Sequence, residues 1–187
     1  MRELKKQDMI DILYGCAVLG TGGGGPLEEG LAMMQKHFDN DEVLQLISLD
    51  ELPDDEYVVT PYGCGAPSAT GLNPKFKDLE VSEVVPSVLA MEALEEALGK
   101  KIYAVGSTEL GGANTAEALH AALEKGVPLL DADPAGRSVP ELQHSTYYVK
   151  NAPIFPMGVA TKFGEKIVIQ NVADDLRACL LYTSPSP

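Results

Sequence analysis

The period of hydrophobic positions changes repeatedly along this chain, and the changes mark out its elements. Met9, Leu13, Cys16 and Ala17 recur at helical spacing. They predict a helix capped by Asp8 and running to about Leu19. The run GTGGGGP (20–26) ends it. Pro26 suits the first position of the next helix, where its missing N–H costs nothing. Leu27, Leu31, Met34 and Phe38 then make a second helical stripe, at spacings of four, three and four. VLQLIS (43–48) and YVVTP (57–61) read as strands. A polar loop rich in glycine and proline spans 63–76, and a helix is expected over about 86–98. KIYAVGS (101–107) reads as strand and TELGGAN (108–114) as loop. An alanine-rich helix to about Lys125 and the strand VPLLDAD (127–133) follow.

This alternation predicts an α/β fold, a mainly parallel sheet flanked by helices. Ligands of such sheets bind beyond the carboxyl ends of the strands. Loops 61–73, 107–114 and 131–141 are therefore expected to converge on one site. From Tyr147 the pattern changes, because YYVKN and KIVIQNV look like strands with no helix between them. The expected organisation is an α/β N-terminal domain over 1–146 and the beginning of a strand-rich second domain over 147–178. CLLYTSPSP (179–187) resembles translated adapter read-through at the end of a truncated environmental gene. A non-native tail, and a longer native chain, are the expectation.

Composition narrows the function classes. The net charge of −14, with no Lys/Arg stripe to offset it, argues against nucleic acid and anionic membranes as partners. Apolar runs fall short of the roughly 18 residues of a membrane helix. MRELKKQDMIDIL lacks the pattern of a secretory leader. Cys16, Cys64 and Cys179 are odd in number and widely spaced, neither a disulfide framework nor a zinc site. Reduced thiols in the cytoplasm are the simple reading. His37, His120 and His144 are scattered, and no histidine metal centre is visible in the sequence.

The candidate chemistry lies in three motifs. In GTGGGGP, Gly20, Gly22 and Gly25 match the GxGxxG spacing of dinucleotide sites, but a helix precedes them instead of a strand. A glycine loop opening a helix favours an anion, while Glu28 and Glu29 compete with one. Close backbone approach to a small ligand or to another loop is the alternative. In TELGGAN, Glu109 stands at the carboxyl end of a strand with no local duty. Gly111 and Gly112 suit a tight turn, and Asn114 with Glu117 has capping-box spacing. In DADPAGRSVPEL, Asp133 to Gly136 fits a type I turn, and Ser138 with Glu141 again has capping-box spacing. Asp131 ends an apolar strand, where an unpaired carboxylate is costly. Arg137 is a natural partner for it or for an anionic ligand. Asp131 and Asp133 as a pair would suit a hard divalent cation, yet alternate strand residues face opposite sides. No metal site is assigned, and the cofactor is left open. Cys64, between two glycines, is either a nucleophile without an identifiable base or a small buried thiol.

In this order, GTGGGGP, TELGGAN and DADPAGRSVPEL resemble the S-methyl-thiohydantoin desulfurase-like family, often linked with hydantoinase-type genes. The resemblance runs from about Met9 to Asp175. It implies an α/β N-terminal domain followed by a mostly β domain, and chemistry on hydantoin-like or S-methyl-thiohydantoin-like rings. Family motif positions fall on Gly22, Gly23, Gly24, Gly25, Glu109, Gly111, Gly112, Asn114, Asp131, Asp133, Gly136, Arg137 and Glu141. The expected function is that of a hydrolase for a small cyclic substrate, with Asp131 or Glu109 as general base. Arg137, Asn114 and the glycine-loop amides are the expected donors to developing charge. A homo-oligomer or a hydantoinase-type partner stays open. The alternative is a non-catalytic nucleotide- or metabolite-binding regulatory or partner domain.

Overall fold

The structure, a computed structural model, describes residues 1–63, 76–141, 143–152 and 154–173. Its first element is a strand too short to show in the hydrophobic pattern, β1 (Arg2–Leu4). Helices α1 (Lys6–Gly20) and α2 (Leu27–Asp39) follow, then β2 (Leu44–Ile47) and β3 (Val58–Val59). Next come α3 (Pro86–Leu98), β4 (Ala104–Gly106), α4 (Gly112–Lys125) and β5 (Leu129–Leu130). A short helix, α5 (Thr146–Val149), leads to β6 (Met157–Ala160) and β7 (Lys166–Ile169). Among the described residues no helix is long and apolar enough to cross a membrane.

The α/β expectation holds. One five-stranded sheet has the order β1-β2-β5-β4-β3. Strands β2, β5, β4 and β3 are mutually parallel, and β1 closes the edge antiparallel to β2. Alternation along the strands sends Leu44, Val105 and Leu129 to the face where Met9, Leu13, Met34, Phe38 and Leu119 pack from the helices. Ile47, Ala104 and Leu130 face the other side, over Leu52, Val58 and Tyr103. The hairpin β6–β7 forms a separate antiparallel sheet, and it rests on α3.

Three local expectations are corrected. Asp8 is not the cap of α1. The helix starts at Lys6, and Asp8 sits in its first turn, where its carboxylate accepts the Lys5 N–H at 3.0 Å and pairs with Arg2 at 2.9 Å. Pro26 is the cap of α2, not its first residue. Of YYVKN, residues 147–149 are helical and the last two form a turn, so the segment is not a strand. Ser145 caps this helix by accepting the Tyr148 N–H, and a local hydrogen bond outweighs the β preference of two tyrosines and a valine. Residues 64–75 and 174–187, hence Cys64, Cys179 and the tail, lie outside the described residues.

The helices α2 and α4 lie backbone to backbone. A Cβ on Gly30 would stand 2.1 Å from the carbonyl oxygen of Gly112, and one on Gly112 would stand 2.4 Å from Leu27 Cα. Only glycine permits this approach, and it fixes where the first turn of α4 begins.

Candidate functional site

The carboxyl ends of β3, β4 and β5 share one edge, and their loops meet there. A Cβ on Gly106, at the end of β4, would lie 3.2 Å from Thr60 Cγ2 and 3.7 Å from the Ala132 oxygen. Asn114 adds a second tie, its Oδ1 accepting the Gly63 N–H at 3.0 Å. Asn114 is not the cap of α4, as its spacing to Glu117 suggested. Gly111 is the cap, so Asn114 sits within the first turn, buried, with its amide free to hold the loop after β3.

The glycine run forms the wall of this region. The Gly24 carbonyl accepts the N–H groups of Ala113 at 3.1 Å and Asn114 at 2.9 Å. A backbone oxygen therefore takes the place that an anion would hold at the start of α4. Gly24 has φ +71°, and a Cβ there would stand 2.6 Å from Gly111 Cα. The Gly111 N–H goes to the Thr115 hydroxyl at 3.3 Å. Close approach to another loop is thus the structural role of Gly24, Gly111 and Gly112. Gly23 faces Ser138, which ties the run to the loop after β5, while a Cβ on Gly22 would meet open space. Gly25 abuts Ala113.

Two carboxyl groups are held against this wall. Glu109 adopts φ +50° and is half-buried. Burial raises its pKa, and the charge of Asp133 raises it further. Asp133 opens the expected turn, with Oδ1 accepting the Ala135 N–H at 3.1 Å and Oδ2 accepting that of Gly136. Burial nonetheless leaves its pKa raised, against the pull of those two amides. Two further groups feel Asp133. The Cys16 thiol of α1 is pushed up by burial, eased by a hydrogen bond with Thr115 and pushed again by Asp133. The Tyr147 phenol of α5 is raised by burial and then by Asp133. Among the described residues, no basic side chain enters any of these four shifts. At the foot of the same loop, Ser107 is buried and its Oγ has no hydrogen-bond partner among the described residues.

Acidic groups gathered without a cation stay protonated to a higher pH than they would in water. Carboxyls perturbed in this way are candidates for general acid and base. A raised thiol pKa, by contrast, keeps Cys16 neutral and poorly nucleophilic.

The other expected site residues lie apart from this group. The Asp131 N–H bonds the Ile47 oxygen at 2.8 Å, and its side chain is exposed, so the desolvation cost that singled it out does not arise. Arg137 is exposed and donates from Nε to the Ser138 oxygen at 3.1 Å. Among the described residues it forms no ion pair with Asp131. Residues 138–141 start no helix, so Ser138 and Glu141 make no capping box; Glu141 turns to Gln143 and His144 instead. Sequence reasoning missed Cys16, Tyr147 and Ser107 as neighbours of the carboxyl groups. Cys16 belongs to the apolar stripe of α1, and the stripe carries no mark of where it ends. Nothing in the pattern around Tyr147 points back towards Asp133.

A crystal structure of a protein from Chromobacterium violaceum, a structural-genomics target, matches with a TM-score of 0.71 at 23% identity. The match covers 93% of this chain and 46% of that one, so the chain spans about half the length of that protein. At this identity the likeness shows a shared fold. No curated protein matches the chain. A family model described as S-Me-THD-like, N-terminal domain, matches residues 7–171. With that match over most of its length, the chain belongs to the S-Me-THD-like family and carries its N-terminal domain.

Proposed function

We propose that this domain supplies the acid–base wall of a hydrolytic site for S-methyl-thiohydantoin-like rings. The observation that carries the reading is the Glu109–Asp133 neighbourhood, two carboxyl groups with raised pKa and, among the described residues, no cation that lowers either. The charge of Asp133 acts on Glu109, so the two titrate as a pair. We assign the base to Asp133 and the acid to Glu109.

In this scheme Asp133 takes a proton from water as the water oxygen bonds to the ring carbon that bears sulfur. That proton passes to the ring nitrogen. The new hydroxyl collapses to a carbonyl, the carbon–sulfur bond breaks, and Glu109 protonates the leaving methylthiolate. Glu109 recovers its proton from the hydroxyl. The sum is ring plus water giving a hydantoin-type ring plus methanethiol. Ser107 and Tyr147 are donors available to charge that develops on the ring. Neutral Cys16 lines the site without attacking.

The reading assigns acid–base chemistry to Glu109 and Asp133, and leaves Asp131 and Arg137 at the exposed rim. Completion of the site by the rest of a longer protein, by a second copy or by a hydantoinase-type partner belongs to the same proposal. So does a cytoplasmic setting, which the free thiol of Cys16 and the wide cysteine spacing support. The hydrolytic reading is preferred to the nucleotide-binding alternative because GxGxxG follows helix α1, where a dinucleotide fingerprint follows a strand.

The test is methanethiol release from an S-methyl-thiohydantoin by a full-length protein carrying this domain. Glu109→Gln and Asp133→Asn are each expected to lower kcat by about 10²- to 10⁴-fold. Wild-type turnover in both variants would sink the assignment. Stabilisation by ATP or NAD but not by ureides in a thermal-shift screen would favour the binding-module alternative.

A further inference from the structure

His37 and His120 are 83 residues apart, yet the packing of α2 on α4 brings them into contact. The two helices start together at Gly30 and Gly112, and two turns later the imidazoles meet. His37 Nε2 lies 2.8 Å from His120 Nδ1. Glu124 is one turn beyond His120 on the same face of α4, and its Oε1 lies 3.7 Å from His37 Nε2. One donor atom from each of the three residues falls within 4.8 Å of the others. The cluster stands at the far end of α4 from Glu109 and Asp133, and the hydrolytic reading does not use it.

We propose that His37, His120 and Glu124 form a binding site for a zinc-type divalent cation that clamps α2 to α4. Four observations carry this. The donor set, two imidazoles and one carboxylate, suits zinc and leaves a fourth position open. His37 has the outer-shell partner that metal-bound histidines use, with Nδ1 at 2.8 Å from Glu42 Oε2. A carboxylate only accepts, so Nδ1 carries the proton and Nε2 presents its lone pair to the cluster. Both rings are almost fully buried, so the packing of α2 on α4 holds the two imidazoles in place. Finally, Glu124 is 30% exposed and opens the cluster to solvent, which gives an ion its path in.

Two adjustments accompany binding. Two nitrogens on a tetrahedral zinc stand roughly 3.3 Å apart, given bonds of about 2.0–2.1 Å. The imidazoles must therefore separate slightly, and His120 must hold its proton on Nε2. Lys36 Nζ rests 3.0 Å from Glu124 Oε1 and must yield part of that contact. Its side chain is 67% exposed, so it has room to move.

The experiment is titration of the full chain with Zn²⁺ alone by calorimetry, alongside thermal unfolding and the visible spectrum of a Co²⁺-loaded sample. The expected result is one saturable Zn²⁺ per chain, a higher Tm, and the absorption of tetrahedral Co²⁺. His120→Ala and Glu124→Gln should each weaken binding at least 100-fold, and Glu42→Gln by about 10- to 100-fold. Magnesium should not substitute, and His144→Ala should bind as the parent does. Glu124→Gln is a mild change at a partly exposed position, so it decides the matter even if His120→Ala fails to fold. Absence of saturable Zn²⁺ binding in the parent chain overturns the proposal, as does undiminished affinity in Glu124→Gln.

Discussion

Glu95 and Glu109 are both glutamates drawn out of water, one on α3 and one on the loop after β4. Glu95 is 7% exposed and fully matched. One oxygen accepts from Lys101 at 2.8 Å and Lys125 at 3.0 Å, and the other accepts the Ile102 N–H at 3.1 Å. Burial alone would raise its pKa, but these donors prevail and bring it down to about 2. Among the described residues Glu109 has the burial without the donors, and the charge that acts on it is that of another carboxylate, Asp133. Its pKa goes up. The same side chain is thus a fixed anion in one place and a proton reservoir in the other, and the difference lies in the cations. Lys101 and Lys125 bracket Glu95 from the two segments around it, which makes it architecture. Among the described residues no such cation reaches Glu109, and that contrast is what the proposed acid–base role rests on.

The comparison is broken most severely by removing the matched acid. Glu95→Ala is expected to cost about 3 kcal/mol at neutral pH, measured by denaturant unfolding. Glu95 has a depressed folded-state pKa. Its contribution is present above the ordinary glutamate value and is lost as pH falls towards about 2, where the variant and parent should converge. Next in size, Gly24→Ala should cost about 2–4 kcal/mol, because it combines φ +71° with a clash against Gly111. It should also displace the loop of Glu109 and leave the titration of Glu95 unchanged. Asn114→Ala should cost about 1 kcal/mol by releasing the Gly63 N–H, while Asn114→Asp keeps the acceptor and restores most of it.

The smallest stability effect has the opposite sign. Glu109→Gln should raise Tm at neutral pH while lowering turnover. A raised carboxyl pKa means that stability is full below the ordinary glutamate value and declines as pH rises through the raised one. The glutamine removes that decline, so the gain in Tm should vanish in acid. A lower Tm at neutral pH would show that Glu109 is matched like Glu95 and would erase the contrast.

Period and turn chemistry made the flanking helices and the mainly parallel sheet legible in the sequence. Helices with full stripes, such as Leu27, Leu31, Met34 and Phe38, were the clearest. Elements of two to four residues were not, because β1 and α5 are set by pairing and capping, not by periodicity. Within the site, Glu109 was legible as a carboxylate with no local duty. Asp133 was concealed by its turn, since a residue can serve a turn and a site together. Asp131 drew attention through a burial that does not occur. The meeting of His37 and His120 could not be read at all, because it depends on two glycines letting α2 and α4 touch.

The central claim is that Glu109 and Asp133 are both raised by burial, are not lowered by a cation among the described residues, and titrate together. Carboxyl-carbon NMR of the labelled chain across pH tests it directly. The account predicts that Glu109 and Asp133 titrate above their ordinary ranges, that Glu95 titrates near 2, and that Asp133→Asn lowers the Glu109 midpoint. A Glu109 midpoint at or below the ordinary glutamate value, unmoved by Asp133→Asn, would contradict it.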